Sequence, residues 1–261
     1  MGINKIDFRS LSSIDEIRSI DLISFFKAVG YDWQDDKEKI EKICYYTKSR
    51  ANPTKKDFAL SYGMEQPFFL KAVAEWAKCK SFFEIGTGRG TGCYAVSLID
   101  SIQKLCTVDI VPFTVKRNEA IGYEPAFVSN EDLYGMIPYS QKNKIEFYLR
   151  DNISTIKEQS AAGFDLLFID GDHTNPTMIM QDFQICKSMS HDNSLIIWDD
   201  YDPQKFAVRG VVREVQRKFP EYETMLIESR GHLFQDKEPE SGAGMVLMKK
   251  GGFDESIFAQ G

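Results

Sequence analysis

Short apolar runs alternate with amphipathic segments from residue 81 onward, and this alternation predicts an α/β fold. The runs with the length of strands lie at 81–85, 105–110, 145–150, 164–169, 194–198, 222–227 and 244–248. Helical spacing of apolar residues separates most of them, for example at 91–102, 176–188 and 210–218. Because strands that alternate with helices form parallel sheets with helices on both faces, we expect a doubly wound, mostly parallel seven-stranded sheet. The last two runs lack a helix between them, which predicts a closing hairpin with one antiparallel strand at the end of the sheet.

The first 64 residues follow a weaker pattern of helices and loops. Ile14, Ile17, Leu22, Ile23 and Phe26 are spaced to form one apolar helical face, and a further helix is expected at 65–78. This predicts a helical N-terminal cap or lid over residues 1–64, followed by a ligand-binding domain over residues 65–261. The cap is the candidate contact of a homodimer. The stretches 111–144 and 229–242 exceed ordinary connections in length, so we expect them to wall a substrate site.

Composition and charge exclude several classes of protein. Apolar residues make up 43% of the chain and charged residues 27%, as in an ordinary globular protein. No apolar run reaches the ~18 residues of a membrane helix, and the N-terminus lacks the apolar core of a signal peptide. The net charge of −7 disfavours nucleic acid as a partner. The 5 cysteines form no CxxC motif, so we expect neither a disulfide framework nor a zinc site, and a cytoplasmic location.

A glycine-rich turn follows the first of the predicted parallel strands. The run from Glu84 to Gly90 has the spacing ExGxGxG, in which Gly86, Gly88 and Gly90 allow a sharp turn and a close approach to a ligand. The helix that follows begins with free N–H groups. A dinucleotide site would have GxGxxG, but Thr91 replaces the third glycine and Glu84 would repel a pyrophosphate. The motif suits a ligand that carries an amino group and a sulfonium.

Acidic and amide side chains end the next two strands. Asp109 closes the second strand, where a carboxylate accepts hydrogen bonds from both hydroxyls of a ribose. Asp151 and Asn152 follow the third strand, where either would accept the exocyclic amine of adenine. The sequence therefore predicts a nucleoside-containing ligand along these strand ends.

A second motif is rich in acids and follows two strands that should be neighbours. Asp170 and His173 end one strand in IDGDH, and Asp199 and Asp200 end the next in WDDY. Three carboxylates held together repel each other unless they are protonated or bind a cation, and oxygen ligands suit Mg²⁺ or another hard divalent ion. Such a metal would lower the pKa of a substrate hydroxyl, and His173 would accept the proton. The alternative is structural, since Asp172 and Asn175 are also suited to start the following helix.

Together these motifs resemble the class I S-adenosylmethionine-dependent methyltransferases, over roughly residues 65–250. The IDGDH and WDDY pieces are similar to the metal-dependent O-methyltransferases of small molecules, of the type that acts on macrolide sugars. The resemblance implies a Rossmann-like methyltransferase fold and a small-molecule hydroxyl as substrate. It implies Asp170, Asp199 and Asp200 as ligands of Mg²⁺, with His173 and Asp170 as catalytic residues. The residues it implies for S-adenosylmethionine are Glu84, Gly86, Thr87, Gly88, Gly90, Asp109, Asp151, Asn152 and Asp170.

Three other functions stay open at this point. One is a metal-independent N- or carboxyl-methyltransferase, which would use the same cofactor site. A nicotinamide-dependent dehydrogenase is disfavoured by the missing third glycine and by Glu84. A cofactor-binding scaffold without activity is disfavoured because it has no need for clustered acids.

Overall fold

The computed structural model describes residues 17–49, 60, 63–121, 124–135, 137–202, 204–234 and 238–253. The strands are β1 (Arg18–Asp21), β2 (Ser81–Ile85), β3 (Lys104–Asp109), β4 (Arg117–Ile121), β5 (Glu124–Val128), β6 (Ile145–Leu149), β7 (Phe164–Ile169), β8 (Ser190–Tyr201), β9 (Tyr222–Glu228) and β10 (Gly244–Lys250). The helices are α1 (Leu22–Val29), α2 (Gln34–Ser49), α3 (Gln66–Trp76), α4 (Thr91–Ser97), α5 (Asn130–Tyr134), α6 (Tyr139–Lys142), α7 (Ile153–Gln159), α8 (Pro176–Ser188) and α9 (Val208–Lys218). A 3₁₀ turn at Arg150–Asn152 joins β6 to α7.

The main sheet has the strand order β1-β9-β10-β8-β7-β2-β3-β6, and β4 pairs with β5 in a separate hairpin. All pairs in the main sheet are parallel except those of β10, which is antiparallel to both β8 and β9. This confirms the predicted α/β class with a mostly parallel sheet and a closing hairpin. Two details are wrong. The antiparallel strand lies inside the sheet, between β8 and β9, and β1 adds an eighth strand beside β9.

The N-terminal segment does not form the continuous helical face that we predicted. Residues 18–21 are extended, and α1 begins at Leu22 because the Asp21 side chain accepts a hydrogen bond from the Ser24 N–H at 2.9 Å. Gly30 ends the helix in the left-handed conformation at φ 72°. Leu22 and Phe26 are buried as the pattern required, whereas Ile14 lies outside the described residues.

Apolar side chains of the sheet alternate between two cores, one on each face. Phe82 and Phe168 face the core under α1, α3 and α4, and Phe83 and Ile169 face the core under α8 and α9. The first core also takes Leu22 and other buried residues of α1 and α2, so the N-terminal helices share a core with α3. The division into a cap and a domain at residue 64 stays a prediction. No helix in the described ranges combines the length and the hydrophobicity that crossing a bilayer requires.

Candidate active site

A cleft of about 370 Å³ opens at the carboxyl ends of β2, β3, β6 and β7. This edge is where ligands bind in open parallel sheets. The lining residues are Ile85, Gly86, Gly88, Val108, Asp109, Ile110, Val111, Arg150, Asp170, Gly171, Asp172, His173, Thr174 and Met178. Both motifs of the sequence therefore reach one cleft.

The glycine turn packs tightly against the loop that follows β7. Gly86 has φ 95°, and a Cβ on it would lie 1.9 Å from the carbonyl oxygen of Asp170. Gly90 begins α4 in the left-handed conformation at φ 75°, and a Cβ there would lie 2.9 Å from the ring of Tyr134. Glycine is thus required by backbone conformation and by space at both positions. Gly86 and Gly88 line the cleft, whereas the Gly90 N–H closes the turn by donating to the Thr87 carbonyl at 2.7 Å.

Asp109 lies in the cleft at the position that the sequence predicted. It is 8% exposed. Its carboxylate accepts hydrogen bonds from the Gly88 N–H at 3.2 Å, the Val111 N–H at 2.9 Å and the Asn130 amide at 3.3 Å. These three donors hold the carboxylate beside the glycine turn, which is the arrangement that a ribose-binding acid needs.

Glu84 and Thr87 do not line the cleft. Glu84 is 2% exposed and accepts hydrogen bonds from the Cys93 thiol at 2.8 Å and the Thr107 hydroxyl at 2.6 Å. Thr107 lies 2.7 Å from the Thr87 hydroxyl, so Thr87 joins the same buried network. Burial raises the pKa of Glu84 to about 7, against the opposing effect of these hydrogen bonds. The structure thus places Glu84 beneath the turn and gives its predicted contact with the cofactor no support.

Asp151 and Asn152 are exposed on the turn after β6 and do not line the cleft. Asn152 accepts a hydrogen bond from the Leu149 N–H at 3.2 Å, which closes the turn. Arg150 points into the cleft from this strand end instead. The prediction that Asp151 or Asn152 meets adenine therefore receives no support from the structure.

Asp170 and Asp199 converge on one side chain, the amide of Gln66 at the start of α3. The Gln66 nitrogen Nε2 donates to Asp170 Oδ2 at 2.9 Å and to Asp199 Oδ2 at 2.8 Å. Burial and the mutual repulsion of neighbouring carboxylates raise the pKa of Asp170 and of Asp199. Asp170 lines the cleft, and Asp199 lies beside it on the same Gln66 amide.

Asp200, which lies near that pair, is held by Arg230 instead of Gln66. Its backbone has φ 55°, which is rare for a residue other than glycine, and its Oδ1 accepts a hydrogen bond from Arg230 at 2.8 Å. Its Oδ2 lies 3.4 Å from Nδ1 of His173. Arg230 also donates to Asp202 at 2.8 Å, and the rings of His173 and Phe206 are 4.7 Å apart. Asp200 is therefore placed to orient His173, which lines the cleft.

The predicted metal triad is assembled only in part. In the part of the chain that the structure describes, no three His, Cys, Asp or Glu side chains form a group that could hold a metal ion. Asp170 and Asp199 do fit a hard divalent cation by donor type, because both direct carboxylate oxygens to one point, which the Gln66 amide nitrogen occupies here. Asp200 does not fit, because Arg230 neutralises it.

The structural interpretation of Asp172 and Asn175 is also confirmed. Asp172 accepts hydrogen bonds from the N–H groups of Thr174 at 2.7 Å and Asn175 at 2.8 Å. Asn175 caps α8 by accepting a hydrogen bond from the Thr177 N–H at 3.1 Å. These two residues therefore fix the path of the loop on which His173 lies.

Sequence analysis missed three side chains of the site: Gln66, Arg150 and Arg230. Gln66 precedes Pro67 at the start of a predicted helix, a position that usually indicates capping rather than chemistry. Arg230 lies in the 229–242 stretch that we expected to wall the site, so the length of that connection was the available signal.

Residues 83–201 match the family described as "Methyltransferase domain". No curated protein matches the chain. Among solved structures, the chain is similar to the O-methyltransferase TomG from Streptomyces achromogenes in complex with SAM, at 18% identity and a TM-score of 0.54, over 82% of this chain and 90% of that one. An O-methyltransferase from Bacillus cereus in complex with SAH is similar at 15% identity and a TM-score of 0.51, over 83% and 90% of the two chains. Cofactor-bound Rv0187 from MTB is similar at 14% identity and a TM-score of 0.55, over 82% and 91%. At these identities the likeness shows the fold.

Proposed function

We propose that this chain, whose residues 83–201 match a methyltransferase domain, is a class I S-adenosylmethionine-dependent methyltransferase that transfers the methyl group to a hydroxyl oxygen of a small molecule. The observation that carries the proposal is the meeting of Asp170 with Asp199 and of His173 with Asp200 at one end of the cleft. A hydroxyl must lose its proton as the oxygen attacks the methyl carbon, and it must be held in line with the departing sulfur. An imidazole beside carboxylates provides for both needs.

His173 is the proposed base. Its Nδ1 faces Asp200, so its Nε2 is the atom that would accept the proton of the acceptor hydroxyl. A carboxylate behind an imidazole fixes the ring orientation and stabilises the imidazolium that forms. Arg230 in turn holds Asp200, and the ring of Phe206 packs against His173.

We also propose that a divalent cation, Mg²⁺ or a similar hard ion, binds at the acid pair. Asp170 and Asp199 would hold it, and proteins commonly bind Mg²⁺ through one or two carboxylates with the remaining positions filled by water. Such an ion supplies the positive charge that lowers the pKa of a bound hydroxyl. Metal-independent transfer is the second candidate. It is favoured by the Gln66 amide, which donates to both acids, and by the Arg230 guanidinium, which neutralises Asp200.

The test of the acceptor class is methyl transfer from labelled S-adenosylmethionine to matched panels of hydroxyl compounds, amines and carboxylic acids. We expect labelled ethers from sugars or phenols and no labelled product from the other two panels. Products confined to amines or carboxylates would contradict transfer to a hydroxyl.

The metal is tested by binding as well as by turnover. Calorimetry of Mg²⁺ into protein saturated with S-adenosylhomocysteine should show binding that Asp199→Asn abolishes. Binding of S-adenosylhomocysteine should survive a chelator, whereas turnover should stop and return with added Mg²⁺. Absence of Mg²⁺ binding together with full turnover in the chelator would establish the metal-independent candidate.

His173→Ala tests the base. We expect turnover to fall by ~10²–10⁴-fold with the affinity for S-adenosylhomocysteine unchanged, since only the proton acceptor is lost. The matched control is His191→Ala, because His191 also pairs with an aspartate, Asp165 at 3.0 Å, but does not line the cleft. Equal turnover in the two variants would mean that another group removes the proton.

A further inference from the structure

Arg150 is a cationic side chain that lines the cleft at the carboxyl end of β6. It follows β6 directly and its side chain is only 17% exposed. The exposed Asp151 and Asn152 beside it were the residues that the sequence analysis assigned to adenine. At this strand end, therefore, Arg150 lies inside the cleft and Asp151 and Asn152 do not.

Asp182, on α8, holds Arg150 from behind. The Arg150 guanidinium forms an ion pair with the Asp182 carboxylate, which is 0% exposed. Burial raises the pKa of Asp182, and the neighbouring guanidinium opposes that rise. The same carboxylate lies close to Gly171, because a Cβ on Gly171 would lie 2.8 Å from Asp182 Oδ2. Asp182 thus lies beside two residues that line the cleft, Arg150 and Gly171.

The order of strands fixes which part of a ligand Arg150 would meet. The sheet runs β7-β2-β3-β6, so the cleft passes from Asp170 through the glycine turn and Asp109 to Arg150. A cofactor with its sulfonium near Asp170 and its ribose on Asp109 extends its base toward the end of β6. Adenine is neutral, with ring nitrogens that accept hydrogen bonds and a π face, and a guanidinium can donate to the first or stack on the second.

We infer that Arg150 contacts the adenine base of the bound cofactor and that Asp182 is the positioning residue that holds Arg150 against it. The inference rests on the use of S-adenosylmethionine in the proposed function. It does not depend on the acceptor or on a metal. The buried ion pair restrains the guanidinium at the wall of the cleft, and its remaining donors and planar face are free to meet the base.

The first test uses two ligands that share the adenosine half. Arg150→Met keeps the length of the side chain and removes its donors and charge. We expect it to weaken S-adenosylhomocysteine and 5′-methylthioadenosine by the same factor of about ten, the usual effect of losing a charged hydrogen-bond partner. Arg150→Lys keeps a cation beside Asp182 but lacks the planar fork, so it should retain the stability of the wild type and still weaken both ligands.

The second test asks whether Asp182 acts through Arg150. Asp182→Asn, of nearly equal volume, should weaken both ligands by about the same factor as Arg150→Met, and the double variant should be no weaker than either single one. If the role of Asp182 were purely structural, the two losses of affinity would multiply. The double variant would then bind both ligands about a hundredfold more weakly than wild type. If Asp182→Asn does not fold, the two Arg150 variants still decide the first part.

Arg217→Met is the matched control, because Arg217 also pairs with a buried carboxylate, Glu214, but does not line the cleft. It should leave both affinities unchanged. If the Arg150 variants bind 5′-methylthioadenosine as tightly as wild type does, the inference is wrong while the methyltransferase function stands. If the wild-type protein binds neither ligand, the assignment of the cofactor itself fails.

Discussion

Glu84 shows how a single buried acid makes stability depend on pH. In the unfolded chain its carboxyl titrates near the ordinary value of 4.5, whereas burial in the native protein raises the pKa to about 7. Between these two values the native protein holds a proton that the unfolded chain has released, so the free energy of unfolding falls as the pH rises. The size of this effect is about 3 kcal/mol, and it is complete above pH 7.

Glu84→Gln should remove this contribution, since glutamine keeps the shape and does not titrate. Urea unfolding at pH 5 and pH 8 should show a fall in wild-type stability that is about 2.5 kcal/mol larger than the fall in the variant. Asp170 and Asp199 also have a raised pKa, but both residues are present in wild type and in the variant. The difference between the two pH profiles therefore reports on Glu84 alone. Glu158→Gln, on the exposed face of α7, is the control. Parallel pH profiles for wild type and Glu84→Gln would show that Glu84 is ionised when buried.

Asp109→Ala tests the residue on which the cofactor assignment depends most. Three N–H groups hold this carboxylate in the cleft, and none of them changes in the variant. We expect the affinity for S-adenosylhomocysteine to fall by ~1–3 kcal/mol, the cost of losing a charged hydrogen-bond partner. Calorimetry should also show no binding of NAD to the wild type. Unchanged affinity in the variant would mean that Asp109 does not hold the ribose.

At the scale of elements, the sequence predicted best where apolar runs are long and their ends are marked. β2, β7 and α8 have the predicted bounds, because strands rich in apolar residues end at a glycine turn or an acid and Asn175-Pro176 marks the helix start. β1 was missed because only Ile20 among its four residues is strongly apolar, so its pairing with β9 is decided by packing. The position of β10 inside the sheet depends on its pairing with β8 and β9, and the residue pattern of β10 itself does not indicate it.

The site was predictable where a residue follows a strand and not where its partner is distant in sequence. Asp109, Asp170 and His173 were found because the ends of parallel strands meet at one edge. The direction of a side chain is not in the pattern, so the sequence did not predict that Asp200, with its left-handed backbone, pairs with Arg230. Gln66 comes from a helix 104 residues before Asp170, and only the fold brings them together.

Lys71 and Asp36 tie two elements, α3 and α2, through a buried ion pair. Their charged atoms are 2.7 Å apart, and the two side chains are 7% and 6% exposed. Although burial opposes ionisation, the hydrogen bond from Lys71 lowers the pKa of Asp36. Lys71→Met leaves this buried carboxylate without its main partner, so we expect a loss of about 3–5 kcal/mol in the free energy of unfolding.

Urea unfolding measures that loss, and the chain offers a matched control. Lys250 pairs with Asp192 at 2.6 Å, but both side chains are exposed, so Lys250→Met should leave the free energy of unfolding nearly unchanged. The double variant Asp36→Asn with Lys71→Met should recover part of the stability, because it no longer buries an unpaired charge. Similar losses for the two lysine variants would show that α2 contributes little to the stability of the fold.

At the scale of the whole molecule, the cleft collects residues from the ends of four strands and from α8, and neither Lys71 nor Asp36 lines it. A ligand that binds only the native protein adds RT ln(1 + [L]/Kd) to its stability, which is about 2.7 kcal/mol at a hundredfold excess over Kd. S-adenosylhomocysteine should add this amount to wild type and to Lys71→Met alike, because sites without shared partners contribute independently. Urea unfolding with and without the ligand gives both values. A smaller gain in Lys71→Met would show that the N-terminal helices are coupled to the cofactor cleft, and NAD at the same concentration should give no gain in either protein.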